Sequence, residues 1–318
     1  MRLQKKKKVK SLLKYRLMRL IGVILAFSVL LSASTPSGAS TSRSYNKTLH
    51  IAQGYVGGTA ADFLNQGLQL IQAGRAPESI AYFQKATELD PNMAPAHYNL
   101  GLALRQAGQL QPAADAFYRA TQADPKFALA YANLGGALLE GANWQQAGDY
   151  LQRAIEIDPK LGMAHYNLGL LRKQQRDWEN AIKSFKKAME YSKNAPEPAY
   201  YLGVSYMEQG ELNKARDAFR RATRINPNYT EAHYNIGSIL YNQRKYKEAL
   251  ESFRRSAETN TNYPNAYYGA GLVFMQQRDC NQAAQVFQYA FNLFKAQGNA
   301  QWANASQQML RQAQTCRF

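Results

Sequence analysis

From residue 60 onward, hydrophobic and polar positions recur in blocks that return every 34 residues. In Tyr98-Asn99-Leu100-Gly101-Leu102-Ala103-Leu104 the apolar residues fall at helical spacing. Ala107-Gly108 breaks the run, and a second periodic stretch then carries Ala113, Phe117 and Ala120 on one face. Asp124-Pro125 closes it, because proline cannot continue a helix interior. The unit predicted is a helical hairpin. Its landmarks hold one register along the chain: Gly67, Gly101, Gly135, Gly169, Gly203, Gly237 and Gly271, then Phe83, Phe117, Leu151, Phe185, Phe219, Phe253 and Phe287. Pro91, Pro125, Pro159 and Pro227 end their units, while Lys193 and Thr261 stand where a closing proline is expected without disturbing the phase. The glycine lets the two helices approach, and the aromatic residue fills the space between hairpins. One hairpin cannot bury its apolar face alone, so the hairpins must stack.

This register gives seven repeats, 60–93, 94–127, 128–161, 162–195, 196–229, 230–263 and 264–297. Within 298–318, Asn299 to Gln314 predicts one more helix, with Trp302, Ala305, Met309 and Leu310 able to cover the last hairpin and glutamines facing water.

The segment before the repeats changes the meaning of the charge. The chain carries a net charge of +17, which taken alone suggests nucleic acid. Nine of its basic residues, and no acidic one, lie in residues 1–34. They precede the apolar run Leu20 to Leu31 and the small residues Ser32-Ala33-Ser34, which is the order of a secretory signal peptide. Such a run spans only ~20 Å as a helix, against a hydrocarbon core of ~30 Å. Residues 1–34 are therefore expected to be a cleaved signal, the alternative being a short anchor through 20–33. Either way the basic end stays inside and the repeats face outward, in a periplasm or equivalent lumen. Residues 35–59, rich in Ser, Thr and Gly, are a spacer.

The 34-residue period with its Leu-Gly, Ala, Phe and Pro positions over residues 60–297 resembles the tetratricopeptide repeat family. The resemblance implies an all-α, right-handed solenoid of about seven helix-turn-helix repeats with a C-terminal capping helix. It also implies that the second, fifth, sixth, ninth, twelfth and thirteenth positions of each repeat face a ligand. The sixth position is Asn65, Asn99, Asn133, Asn167 and Asn235, interrupted by Tyr201 and Gly269. This series is similar to the asparagine ladder in the repeats of the O-linked N-acetylglucosamine transferases, where amide side chains meet a peptide backbone. The fifth position is Tyr98, Tyr166, Tyr200, Tyr234 and Tyr268. Two uses are open for both rows: a groove for an extended peptide, or packing inside the hairpins. Capture of a C-terminal carboxylate, as in chaperone adaptors, is excluded, because no fifth position is Lys and no sixth is Arg.

Second helices carry a basic row that includes Lys187, Arg221 and Arg255, doubled by Lys186, Arg220 and Arg254 in repeats four to six. The row is either a solvated convex face or a surface for anionic lipid or an acidic partner. Export excludes nucleic acid as the partner. His97, His165 and His233 lie two repeats apart, too far to share a metal ion with bonds of ~2 Å. No nucleophile-base pair, phosphate loop or metal cluster is legible, so neither enzyme activity nor a cofactor or metal is expected. Cys280 and Cys316 are the only cysteines, and the repeat phase puts both at one edge of the last layer. An oxidising location permits a disulfide there, the alternative being two free thiols. The function expected is an exported scaffold that binds an extended segment of a partner protein for assembly or positioning of an envelope or membrane complex. The alternative is an accessory subunit that presents substrates to a glycosyltransferase or peptidoglycan enzyme.

Overall fold

The computed structural model describes residues 58–316, and among them the chain forms fifteen α-helices and no strand. The basic start, the apolar run Leu20 to Leu31 and residues 35–57 of the spacer lie outside the described residues. No described helix is long and apolar enough to cross a membrane.

The described residues form two compact units, divided between Asn167 and Leu168. The first contains α1 (Ala60–Gln72), α2 (Ala76–Leu89), α3 (Ala94–Gln106), α4 (Leu110–Ala123), α5 (Ala128–Glu140), α6 (Trp144–Ile157) and the start of α7 (Gly162–Gln174). The second contains the rest of α7, α8 (Trp178–Tyr191), α9 (Glu197–Glu208), α10 (Leu212–Ile225), α11 (Thr230–Asn242), α12 (Tyr246–Thr259), α13 (Pro264–Gln276), α14 (Cys280–Ala296) and α15 (Ala300–Thr315). Within each unit, consecutive helices pack on one another through short connections, so sequence neighbours run antiparallel. This is the helix-pair packing of a tetratricopeptide solenoid.

The glycine and aromatic landmarks meet inside each hairpin. A Cβ on Gly101 would stand 2.6 Å from the Phe117 ring, and one on Gly203 would stand 2.7 Å from Phe219. The two helices therefore close onto the ring only because that position lacks a side chain. Phe83, Phe117, Phe185, Phe219 and Phe287 are completely buried, and Leu151 does the same work opposite Gly135.

The turn within each hairpin needs one residue in the left-handed region. Gly108 takes it with φ +76°. Arg176, Arg244 and Arg278 hold the equivalent place with φ of 57°, 58° and 61°. A side chain there costs roughly 1–2 kcal/mol, which the packing of the hairpin offsets.

The connections between hairpins explain why the closing proline is dispensable. Asp124 Oδ1 accepts a hydrogen bond from the Lys126 N–H at 2.9 Å, as Asp90 and Asp158 do in their repeats. Asn260 Oδ1 accepts from the Asn262 N–H at the same 2.9 Å, so the turn survives Thr261. The histidines serve this connection too. Nε2 of His97, His165 and His233 lies 2.8 Å from the carbonyl oxygen of Pro91, Pro159 and Pro227, respectively. In the seventh repeat the Tyr267 hydroxyl donates instead to the Thr261 carbonyl at 3.1 Å.

At the C-terminal end, Asn299 caps α15 by accepting from the Trp302 N–H at 3.2 Å. Leu310 and Ala313 bury against Ala283 and Phe287 of α14. Trp302 stacks on Phe294 and meets Tyr268 edge-on. A disulfide joins Cys280, the first residue of α14, to Cys316 just past α15, with the Cα atoms 6.3 Å apart.

Candidate protein-binding face

The asparagines at the sixth position are placed by the first helix of their repeats, and their partners differ. Asn133 is fully buried. Its Nδ2 donates to the Tyr98 hydroxyl at 3.2 Å and to the Leu129 carbonyl at 2.9 Å. Its Oδ1 accepts from Arg105 Nη1 at 3.4 Å. Asn167 is 4% exposed and donates to the Ala132 carbonyl at 3.0 Å. In the second unit the Asn235 side chain hydrogen-bonds the Tyr200 phenol. The sixth position of one repeat thus reaches the fifth position of the repeat before it. At the fifth position of the repeat before Asn99 stands Leu64, which has no hydroxyl, and Asn99 donates to the Pro95 carbonyl of its own helix at 2.7 Å. Asn65 belongs to the first repeat and is exposed.

These contacts correct the groove reading of four residues. The Asn133 and Asn167 amides staple adjacent repeats and do not present a ladder to a peptide. Tyr98 and Tyr166, 4% and 2% exposed, belong to the core. Tyr98 packs against Phe117 and Phe127 with ring centroids 5.8 and 4.8 Å away, and burial pushes its phenol pKa up. Tyr200, Tyr234 and Tyr268 remain half-buried. Asn133→Ala should therefore lower stability by about 1–3 kcal/mol, because it strands a buried phenol and a guanidinium N–H. Urea denaturation measures this. Unchanged stability with loss of partner binding would return Asn133 to the ligand.

Arg105 and Glu140, overlooked in the residue pattern, complete this network. Arg105 donates from Nη2 to Glu140 Oε1 and from Nε to Glu140 Oε2 at 3.1 Å. They occupy a twelfth and a thirteenth position one repeat apart, and that opposite charge was the available signal. Gly136 leaves the room, since a Cβ there would meet Asn167 Nδ2 at 2.9 Å.

What the first-helix face does present is a different pair of rows. At the ninth position Leu68 and Leu102 of the first unit are half-exposed, as are Leu170, Val204 and Leu272 of the second. At the twelfth, Ile71 and Leu139 of the first unit and Met207, Tyr241 and Met275 of the second are also half-exposed. Each unit therefore carries partly uncovered apolar side chains at regular spacing on one face.

The second unit adds a tyrosine cluster. The rings of Tyr200 and Tyr229 stack at 4.9 Å, and Tyr201 meets Tyr200 at 5.1 Å. Burial raises the phenol pKa of all three, and Tyr263 is pushed up to about 12 for the same reason. Glu197 and Glu231 act electrostatically on the Tyr201 and Tyr229 phenols. Lys173 Nζ lies 5.4 Å from the Tyr201 ring centroid.

The basic row is exposed at Lys186, Lys187, Arg220, Arg254 and Arg255, and Arg221 is half-buried. The charges are not equally available. Arg254 makes charge-assisted bonds to Glu251, the shortest at 2.6 Å, and lies 3.3 Å from Glu258. Arg255 donates to Glu251 at 3.2 Å and lies 3.8 Å from Glu258. These contacts hold the Glu251 carboxyl below its usual range, Arg254 contributing most. The doubled patch is thus locally neutralised in repeat six; in repeat five Arg220 lies 3.9 Å from Asp217, and in repeat four Lys186 and Lys187 are exposed. Beside it, an open groove of about 690 Å³ has Ile236, Leu240 and Leu250 as apolar lining, with Arg220, Lys247 and Arg254 and the carboxylates of Glu248 and Glu251 around it. Among the described residues no group of His, Cys, Asp and Glu could hold a metal ion.

Comparison with known proteins agrees with this architecture. The structure of YrrB, described as a TPR protein with an unusual peptide-binding site, is 24% identical and covers 61% of this chain and 99% of its own, with a TM-score of 0.51. That of PilF from Pseudomonas aeruginosa is 19% identical and covers 69% of this chain and 98% of its own, with a TM-score of 0.61. The Cut9–Hcn1 hetero-tetramer of APC/C is 15% identical and covers 86% of this chain and 56% of its own, with a TM-score of 0.59. At these identities the likeness is one of fold. No curated protein is significantly similar in sequence. The family described as the cilia and flagella-associated protein 70 C-terminal domain matches residues 29–270, more than half of the sequence. The chain is accordingly a tetratricopeptide repeat protein and belongs to that family.

Proposed function

We propose that this protein is an exported, non-catalytic scaffold that holds an extended segment of another protein against the first-helix faces of its repeats. The observation that carries the reading is the regular row of half-exposed apolar side chains at the ninth and twelfth positions. The neighbouring asparagines and buried tyrosines are committed to packing, so affinity rests on apolar side-chain contact along this face. The order of basic, apolar and small residues in 1–34 supports export, and assembly or positioning of an envelope complex is the role that fits both features. The exposed Lys186 and Lys187 of repeat four favour a second contact there, with an anionic headgroup or an acidic protein surface.

The test is affinity purification with crosslinking from the native envelope, comparing wild type with Leu68→Glu/Leu102→Glu. One stoichiometric complex recovered by wild type and lost by the variant, with helix content preserved, is the expected result. Equal recovery by both removes the first-helix face as the binding site. Many weakly held extended peptides in place of one complex would favour substrate presentation to an enzyme. N-terminal sequencing of the same material should find residues 1–34 missing, and a chain beginning at Met1 and retained in the membrane would replace export by anchoring.

A further inference from the structure

We infer that the second unit holds a subsite for a cationic side chain, Lys or Arg, of the bound segment, formed by Glu197, Glu231 and the tyrosines Tyr200, Tyr201 and Tyr229. This rests on the scaffold reading above and names the chemistry that part of the face selects. Glu197 is 9% exposed; its carboxyl is met by its own backbone N–H, and its Oε2 is buried with no hydrogen-bond partner. A carboxylate in that position is costly unless a donor or a cation meets it. Glu231, half-buried at the same second position of the next repeat, acts on the same phenols. Neither carboxylate has a basic side chain in ion-pair contact among the described residues. The chain has 39 basic and 22 acidic residues, and its second-helix faces readily pair Glu251 and Glu258 with arginines. What sets Glu197 apart is burial: among the described residues it is the one acidic side chain that is buried.

The tyrosines supply the remaining chemistry. Aromatic faces attract cations, and Lys173 over Tyr201 at 5.4 Å shows that this cluster already receives an ammonium group. Lys173 occupies a twelfth position and makes no carboxylate contact within ion-pair distance, so it marks one side of the cluster without neutralising Glu197 or Glu231. Low local dielectric strengthens the attraction of the two carboxylates for an arriving ammonium or guanidinium group.

The experiment uses the full mature chain and four labelled nonapeptides of leucine and serine with a central Arg, Lys, norleucine or Glu, read by fluorescence anisotropy. The Arg and Lys peptides are expected to bind at least tenfold tighter than the norleucine and Glu peptides. Glu197→Gln should erase that preference while its melting temperature stays at or above that of wild type, because a neutral isostere removes the buried charge. Glu231→Gln should reduce the preference in part. Equal binding of all four peptides, unchanged in Glu197→Gln, overturns the subsite and leaves the groove standing. Binding of none overturns the subsite and the groove together. Loss of the preference with a lowered melting temperature assigns Glu197 to the fold and also overturns it.

Discussion

Phe117→Ala is expected to lower stability by about 3–5 kcal/mol, the range for deleting a large aromatic side chain from a closed core. The ring is fully buried, lies against Gly101, and packs on Tyr98 at 5.8 Å. Neither neighbour can collapse into the vacated space: Gly101 has no side chain, and the Tyr98 hydroxyl is held by Asn133. Stability in a repeat array is nearly a sum of repeat and interface contributions. The loss should therefore loosen the second repeat and its contacts within the first unit before it affects distant repeats. Hydrogen exchange should show faster exchange in α3 and α4 first. Phe117→Leu is the informative control, because Leu151 fills the same position opposite Gly135. It keeps part of the ring's volume and should cost clearly less than Phe117→Ala. Equal losses from Ala and Leu would mean that the ring's volume is not what holds the hairpin.

The second large effect concerns the disulfide. Cys316→Ser, or reduction of the native protein, should destabilise α15 by about 3–4 kcal/mol under the chain-entropy account of a loop this long. The bond ties the end of the last helix to the first turn of α14. Without it, α15 is held by the packing of Leu310 and Ala313 and the stacking of Trp302 on Phe294. Its opening would uncover Ala283 and Phe287. Amide protection in α15 should fall by two or more orders of magnitude while α1 to α6 keep theirs. Equal protection in the oxidised and reduced protein would show that packing alone holds the cap. Two alkylatable thiols in native exported material would show that the bond does not form in its compartment.

The repeat pattern was legible because it follows from local physics. Apolar spacing, a turn residue and a stop signal each act within a few residues, so helix order, hairpin pairing and the role of the glycine and aromatic landmarks could be read from the chain. The helix from Asn299 onward was legible for the same reason. Thr261 looked like a departure and is not one, since Asn260 makes the turn by its own side chain.

The use of the ligand-facing rows was not legible. Tyr98 and Asn133 have the spacing and chemistry that a groove needs, and equally those that a packed interface needs. Their contact spans 35 residues, and whether a side chain lines a surface depends on what stands one repeat away. Asn133 finds a phenol and is buried, Asn99 has a leucine at the fifth position of the repeat before it and donates to Pro95, and Asn65, in the first described repeat, is exposed. The pairing of Arg105 with Glu140 and the solitary burial of Glu197 are decided in the same way. The sequence by itself determined the helices, their order and their phase, because those depend on local periodicity. Only the tertiary structure decided which polar groups are satisfied by the next repeat and which remain for a ligand, because desolvation and hydrogen bonding depend on neighbours that local spacing does not specify.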